Sequence, residues 1–311
     1  MKIGVIGGGS LGLLFAAYAA KAGGEVELYT RSGRQADRLE AEGIELQTGE
    51  ENSSFTVAPE RFAARPIAGF ARPEAQDRWI LLAVKQKDLS DELIDTLRAG
   101  IRSGDRLLCL QNGVGHLERL DASLPGIPVY AALTTEGARR LSDRSVFHAG
   151  RGVTSFGMPG RRIEGEAEKN LARLFEKAGL SMSASNEIET LIYRKLAINA
   201  VVNPLTAIWN VPNGGLLASQ ERLSLMRGVF DEIARVYAAA GIAGADGWWE
   251  EVLGVCRATA ANRSSMLEDV SAGRETEAPW ISGGVCELAR RFGADAPLSG
   301  MLLRLVQGMR E

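Results

Sequence analysis

Two textures of apolar and polar positions meet near residue 187. Before it, short apolar runs of strand type fall at 2–6, 26–29, 79–84, 107–110 and 129–133. Between some of them, apolar residues recur at helical spacing over 11–22, 35–42, 88–99 and 115–120. Strands alternating with amphipathic helices are what a parallel sheet with crossover helices requires. Segment 44–72, interrupted by TVAPE and ARP, is less regular and reads as strands and loops of an edge region. Beyond residue 187 strand signals nearly vanish. Helical patterns cover 189–202, 217–240, 247–261 and 281–292, with a shorter one at 300–310. The segments NVPNGG (210–215) and APW (278–280) read as Pro/Gly breaks between them, and Pro204 is expected to end or kink the first helix. The pattern predicts an α/β domain over 1–186 and an all-helical domain over 187–311.

Composition is consistent with that division. At roughly 150 residues per domain, a chain of 311 residues has room for two. With 45% hydrophobic and 24% charged residues it can bury a large core, which excludes bulk disorder. A net charge of −3 argues against coating nucleic acid, which calls for a basic surface. The three cysteines, Cys109, Cys256 and Cys286, are widely spaced with no CxxC pair, which fits a reducing cytoplasm and suggests no metal site. The opening MKIGVIGGGSLG has glycines where a signal peptide needs an unbroken apolar region, and no apolar run is long enough to span a bilayer. A cytoplasmic protein with no membrane partner is expected. Oligomeric state stays open, a homodimer among the options.

The chemistry begins at Gly7-Gly8-Gly9-Ser10-Leu11-Gly12, a GxGxxG pattern that follows an apolar strand and opens a helix. Glycines there allow a tight turn and close approach of backbone N–H groups to a pyrophosphate, which the helix N-terminus also favours. The residue that reads the adenosine ribose is expected about 20 residues on, within Tyr29-Thr30-Arg31-Ser32-Gly33-Arg34. A carboxylate there would accept from a free 2′-hydroxyl; Arg31 instead pairs well with a 2′-phosphate, so NADPH is favoured over NADH. Lys85 and Asn112 follow two further strands, outside the carboxyl ends of the strands where open α/β sheets gather ligands.

In the helical half, Lys195, Asn199 and Asn203 recur at i, i+4 and i+8 and share one side of a helix whose other positions are largely apolar. Buried without partners, such a stripe would cost a few kcal/mol per group, so it faces solvent or lines a polar cleft. Two asparagines favour the cleft. A carbonyl reductase also needs a proton donor for the developing alkoxide. Of the two histidines, His116 lies near the Asn112 loop and is the weaker candidate, while His148 reads as structural; Lys195 is the better-placed acid.

These residues resemble the ketopantoate reductase (2-dehydropantoate 2-reductase) family. The specific stretch is YRKLAINAVVNPLTAIWNVPNGGL (193–216), and GGGSLG, QNGVG (111–115), TTEGARR (134–140), NRSSMLED (262–269) and RETE (274–277) follow in the family's order. The resemblance implies a Rossmann dinucleotide-binding domain followed by an all-α domain of the 6-phosphogluconate dehydrogenase-like type. It also implies NADPH-dependent reduction of ketopantoate to (R)-pantoate on the route to pantothenate and coenzyme A. Carried over residue by residue, Lys195 matches the proton donor, and Glu277 a group close to the nicotinamide and that lysine. Asn199, Asn203 and Asn213 match substrate ligands. Asn262, Arg263, Ser264 and Ser265 match the loop that holds substrate, with Ser265 its most direct side chain. Arg31, Lys85 and the backbone of Ala138 match cofactor contacts, and Asn112 matches a residue touching both ligands. Where the family often has Ile-Asp after the glutamate, this chain has Ala278-Pro279-Trp280. Two other functions remain readable in the residues: a reductase of a different 2-keto acid, and a non-catalytic NADPH-binding regulator.

Overall fold

The computed structural model describes residues 1–49, 53–70 and 77–309. Arg72 and Arg310, which end two of the segments read from sequence, lie outside the described residues, as does Glu311 at the end of the second domain. The chain divides into two compact units, one of Met1–Gln111 and His116–Glu189, the other of Asn112–Gly115 and Thr190–Glu311. The sequence pattern places the boundary at 186/187, with 112–115 in the first domain.

The first unit contains β1 (Lys2–Ile6), α1 (Ser10–Lys21), β2 (Glu25–Thr30), α2 (Gly33–Glu42), β3 (Ile44–Thr48), β4 (Ser54–Val57), β5 (Phe62–Pro66) and β6 (Arg78–Leu82). It continues with α3 (Asp91–Gly100), β7 (Arg106–Cys109), α4 (His116–Ser123), β8 (Val129–Thr134), β9 (Gly137–Arg140), β10 (Ser145–Gly150), β11 (Val153–Gly157), α5 (Glu166–Ala178) and β12 (Ser181–Ala184). The main sheet has the order β12-β11-β8-β7-β6-β1-β2-β5, parallel throughout except where β11 runs against β8. Strand order reverses between β1 and β6, the place where doubly wound sheets bind ligands. A second sheet, β4-β3-β10-β9, comes partly from segment 44–72.

Alternation along the strands assigns side chains to opposite faces of the main sheet. Leu81 and Leu108 join a core with Leu13, Phe15, Leu171 and Phe175 of α1 and α5. Ile80, Leu82 and Leu107 join another with Ile94, Leu97 and Leu120 of α3 and α4. The sequence pattern does not predict helix α5 or strands β11 and β12. Among them, the four-residue β12, with one buried position, is too short for its alternation to stand out.

The second unit is helical: α6 (Ile188–Trp209, its first two residues counted with the first unit), α7 (Gln220–Ala239), α8 (Trp249–Ala258), α9 (Ser265–Ser271), α10 (Ala278–Phe292) and α11 (Pro297–Gly308). Its core gathers Val201 and Leu205 of α6, Phe230 and Tyr237 of α7, and Val285 of α10. Two expectations are corrected. Pro204 does not end the first helix, since α6 continues to Trp209. Pro204 has no N–H for the carbonyl of Ala200, but the residues on both sides of it are buried, and their packing holds the helical path. The helix stops instead at Asn210, which takes a left-handed φ of 51°. APW is not a break either: it opens α10, with Pro279 in the first turn where its missing N–H has no intrahelical partner to lose.

Candidate active site

In the first unit, β1 feeds the glycine loop directly into α1. Gly7 has φ +113° and packs its backbone against Ala83 and Val84, just past β6, and a Cβ on Gly12 would stand 1.7 Å from the Gly7 carbonyl oxygen. Both positions therefore need glycine. Gly9 is the N-cap of α1 without a side-chain cap, and a Cβ on it would meet nothing within 4 Å. The result is a helix N-terminus opening on a bare backbone, suited to a pyrophosphate. Ser10 and Leu11 begin α1, both partly buried.

At the end of β2, Arg31 is 89% exposed and stands 3.5 Å from Asp88 Oδ1. Lys85 begins the short turn that carries Asp88, the carboxylate beside Arg31. Ala138 sits in β9, paired with His148 of β10.

Two features of this loop had no local sequence signal. Gln35 Nε2 donates to the carbonyls of Gly8 and Asp143, both at 2.8 Å. Arg140 donates from Nη1 to Gly8 O at 3.2 Å, from its backbone N–H to Ser10 Oγ at 2.9 Å and from Nη2 to Asp143 Oδ1 at 2.8 Å. Arg140 is 132 residues from Gly8, beyond the reach of spacing arguments.

The histidines separate as expected. His148 is buried, with Nε2 at 2.6 Å from Glu136 Oε2 and Nδ1 at 2.9 Å from the Tyr18 hydroxyl, a structural network. His116 opens α4 and is buried, and lost hydration pushes its pKa down to about 4, leaving it neutral near pH 7.

In the second unit, α6 carries Lys195 and Asn199, both half-buried, and Asn203, buried to 7% exposure. Burial brings the Lys195 pKa down from 10.5 to about 8, and the negative charge of Glu277 opposes that fall. Glu277 is itself buried; it precedes α10 as its N-cap residue, and its carbonyl accepts from Trp280 N and Ile281 N at 3.0 and 3.1 Å. Asn112 Nδ2 donates to Glu277 Oε2 at 3.2 Å. Lysine, carboxylate and amide thus form one electrostatically coupled group.

A second cluster joins the turn after α6 to the turn before α9. Asn213 N donates to Asn262 O at 2.9 Å, and Asn213 Nδ2 donates to Thr259 Oγ1 at 2.8 Å. Asn213 Oδ1 is buried with no protein partner among the described residues. Ser264 is the N-cap of α9: its Oγ accepts from Leu267 N at 3.1 Å and lies 2.7 Å from Thr206 Oγ1. That hydroxyl has a structural task. Ser265, Asn262 and Arg263 are exposed, and the Arg263 guanidinium bonds Glu268 Oε1 at 2.6 Å and Ser271 Oγ at 2.5 Å, along its own segment.

Family models described as ketopantoate reductase PanE/ApbA and ketopantoate reductase PanE/ApbA C terminal match residues 3–160 and 187–310. The chain is 35% identical over 298 residues to 2-dehydropantoate 2-reductase of Bacillus subtilis (strain 168), covering 95% of this chain and 93% of that one. It is 32% identical to the Archaeoglobus fulgidus protein of the same name, covering 99% and 97%. A crystal structure of the probable 2-dehydropantoate 2-reductase panE from Bacillus subtilis superposes with a TM-score of 0.85 at 33% identity, covering all of both chains. With a Rossmann-type first unit, an all-helical second unit and matches over both, the chain belongs to the ketopantoate reductase family.

Proposed function

We propose that this protein catalyses NADPH-dependent reduction of 2-dehydropantoate to (R)-pantoate, serving pantothenate and coenzyme A biosynthesis in the cytoplasm. In this reading the domain over 1–186 binds NADPH and the domain over 187–311 holds substrate and the proton donor. The observation that carries it is Lys195, a half-buried ammonium whose pKa is brought to about 8 beside the charge of Glu277, on the helix side that also bears Asn199 and Asn203. An amine with its pKa near neutrality is suited to give up a proton.

The cofactor fits the residues present. Gly7 and Gly12 are held at separations that admit no Cβ, which supports a backbone cradle for a pyrophosphate over Gly7–Gly12. Arg31 would hold the adenosine 2′-phosphate, and Lys85 and the backbone of Ala138 would contact the cofactor. When bound, NADPH supplies the hydride that reduces the keto carbon.

The chain's own residues do the rest. Lys195 stabilises the negative charge that builds on the keto oxygen and then transfers its proton there. Glu277 keeps the ammonium charged, and Asn112 orients Glu277 and both ligands. Asn199 and Asn203 orient the substrate, as do Asn213 and the Asn262–Arg263–Ser264–Ser265 segment. The unpaired Oδ1 of Asn213 supports this role, because a buried acceptor without a donor costs about 1–3 kcal/mol, and a substrate hydroxyl would satisfy it. Steady-state assays following NADPH absorbance with ketopantoate test the proposal. Ketopantoate-dependent NADPH oxidation supports it; binding of NADPH without turnover of any 2-keto acid would leave a cofactor sensor instead.

A further inference from the structure

We infer that Gln35 and Arg140 are positioning residues for the cofactor: together they turn the Gly8–Gly9 peptide so that the glycine loop presents donors alone to the pyrophosphate. The inference rests on the NADPH reading above and extends it to two residues outside the fingerprint.

Gly8 O accepts from Gln35 Nε2 at 2.8 Å and from Arg140 Nη1 at 3.2 Å. Two donors on one carbonyl fix its direction. No cis peptide occurs among the described residues, and in a trans peptide the C=O and the following N–H point opposite ways. The Gly9 N–H is therefore turned away from Gln35 and Arg140, at the residue whose Cβ direction is open. An anion approaching there meets an N–H, with the competing carbonyl held behind it. Ser10 is set the same way. Its Oγ accepts from the Arg140 backbone N–H at 2.9 Å, so its own O–H remains as a donor.

Both positioning side chains are themselves anchored at one place. Gln35 uses its second amide proton on Asp143 O at 2.8 Å, and Arg140 pairs with Asp143 Oδ1 at 2.8 Å. The Gln35 amide also packs where a Gly8 Cβ would be, at 2.6 Å, so a side chain at position 8 would push the amide off its bond to the Gly8 carbonyl.

The test measures dissociation constants of NADPH and NADH by nucleotide fluorescence for the full-length protein and for Gln35→Met and Arg140→Lys, with kcat at saturating cofactor. Methionine keeps the length of glutamine and removes the donor without changing charge. Lysine keeps the charge of Arg140 but offers one ammonium where the guanidinium serves Gly8 O, Ser142 O and Asp143 at once. Each variant is expected to weaken both cofactors by a similar factor of about 3–10, the effect of losing one hydrogen bond, with kcat at saturation within about twofold of wild type. Because both side chains act on one carbonyl, the double variant should lose less than the product of the single losses.

Unchanged affinity in a folded Gln35→Met protein overturns the inference. So does a loss confined to NADPH, which would make these residues readers of the 2′-phosphate. If Gln35→Met fails to fold, Arg140→Lys, at a partly exposed position, gives the same two outcomes. A wild-type protein that binds neither dinucleotide overturns the functional reading together with this inference; wild-type binding with unaltered variants overturns this inference alone.

Discussion

Asn112 Nδ2 donates to Glu277 Oε2 at 3.2 Å, joining two residues 165 positions apart. The bond ties the loop after β7 to the start of α10, and Val114 N reinforces it by donating to Trp280 O at 3.4 Å. Its consequence is electrostatic. Burial lowers the Lys195 pKa and Glu277 partly offsets it, so the placement of this carboxylate adds to the ammonium present near neutral pH.

Removing the amine should therefore damage turnover far more than cofactor binding. Lys195→Ala is expected to lower kcat by ~10²–10⁴, the usual contribution of a general acid. Calorimetric affinity for NADPH should change little, because the lysine's work is at the carbonyl. Near-normal turnover in a folded variant would contradict the role. His116, neutral through its pKa of about 4, is poorly suited to take it over.

The pH profile carries the sign of the Lys195 shift. A proton donor must be protonated, so reduction should be fastest below a pKa of about 8 and fall as pH rises through it. Glu277 raises that pKa; Glu277→Gln removes the raising charge and should move the falling limb to lower pH. Profiles of kcat/KM for ketopantoate in wild type and variant measure the displacement. A limb that stays in place would mean that Glu277 does not act on the titrating group.

Cofactor choice should depend on Arg31. Arg31→Ala is expected to raise KM for NADPH much more than for NADH, through loss of a charge-assisted phosphate contact of ~1.5–3 kcal/mol. Asp88, 3.5 Å from Arg31, competes for the same guanidinium, so Asp88→Asn should act in the opposite direction. Equal losses with both cofactors after Arg31→Ala would place 2′-phosphate recognition elsewhere.

Discrimination by the 4-hydroxyl is expected from the unpaired Asn213 Oδ1. A site built to bond a hydroxyl rejects an analogue lacking it by up to ~10⁴–10⁵. The 4-deoxy analogue, 3,3-dimethyl-2-oxobutyrate, should show a large fall in kcat/KM. Comparable efficiency on both substrates would favour a general 2-keto acid reductase.

Gly12→Ala tests the cradle itself. In an ordinary helix this change is stabilising, by about 1 kcal/mol. Here the new methyl would lie 1.7 Å from the Gly7 carbonyl oxygen, an overlap that only backbone movement relieves. The variant should melt at lower temperature and lose dinucleotide binding, read by thermal unfolding with and without NADPH.

Much of this protein was legible where chemistry follows local spacing. Strand runs with period two and helices with period 3.6 identified the alternating first unit and the helical second one, because side-chain direction repeats with the backbone. The glycine fingerprint and the Lys195, Asn199 and Asn203 stripe were readable for the same reason, as was the structural character of His148. Other features depended on chain segments far apart in sequence. Pro204 reads as a helix stop or kink from its own chemistry, yet α6 runs on to Trp209 through buried flanking residues. By resemblance Ser264 belongs to a loop that holds substrate, and only the fold shows its hydroxyl bonded to Thr206 and the α9 backbone. Gln35 and Arg140 meet at Gly8 because α2 and β9 converge on one carbonyl, and a depressed lysine pKa requires burial that no residue type specifies. The sequence alone determined which chemical groups this protein has and along which faces of its elements they run; tertiary structure decided which of them meet and how well each is hydrated, since hydrogen bonds act over a few ångströms of space whatever the distance along the chain.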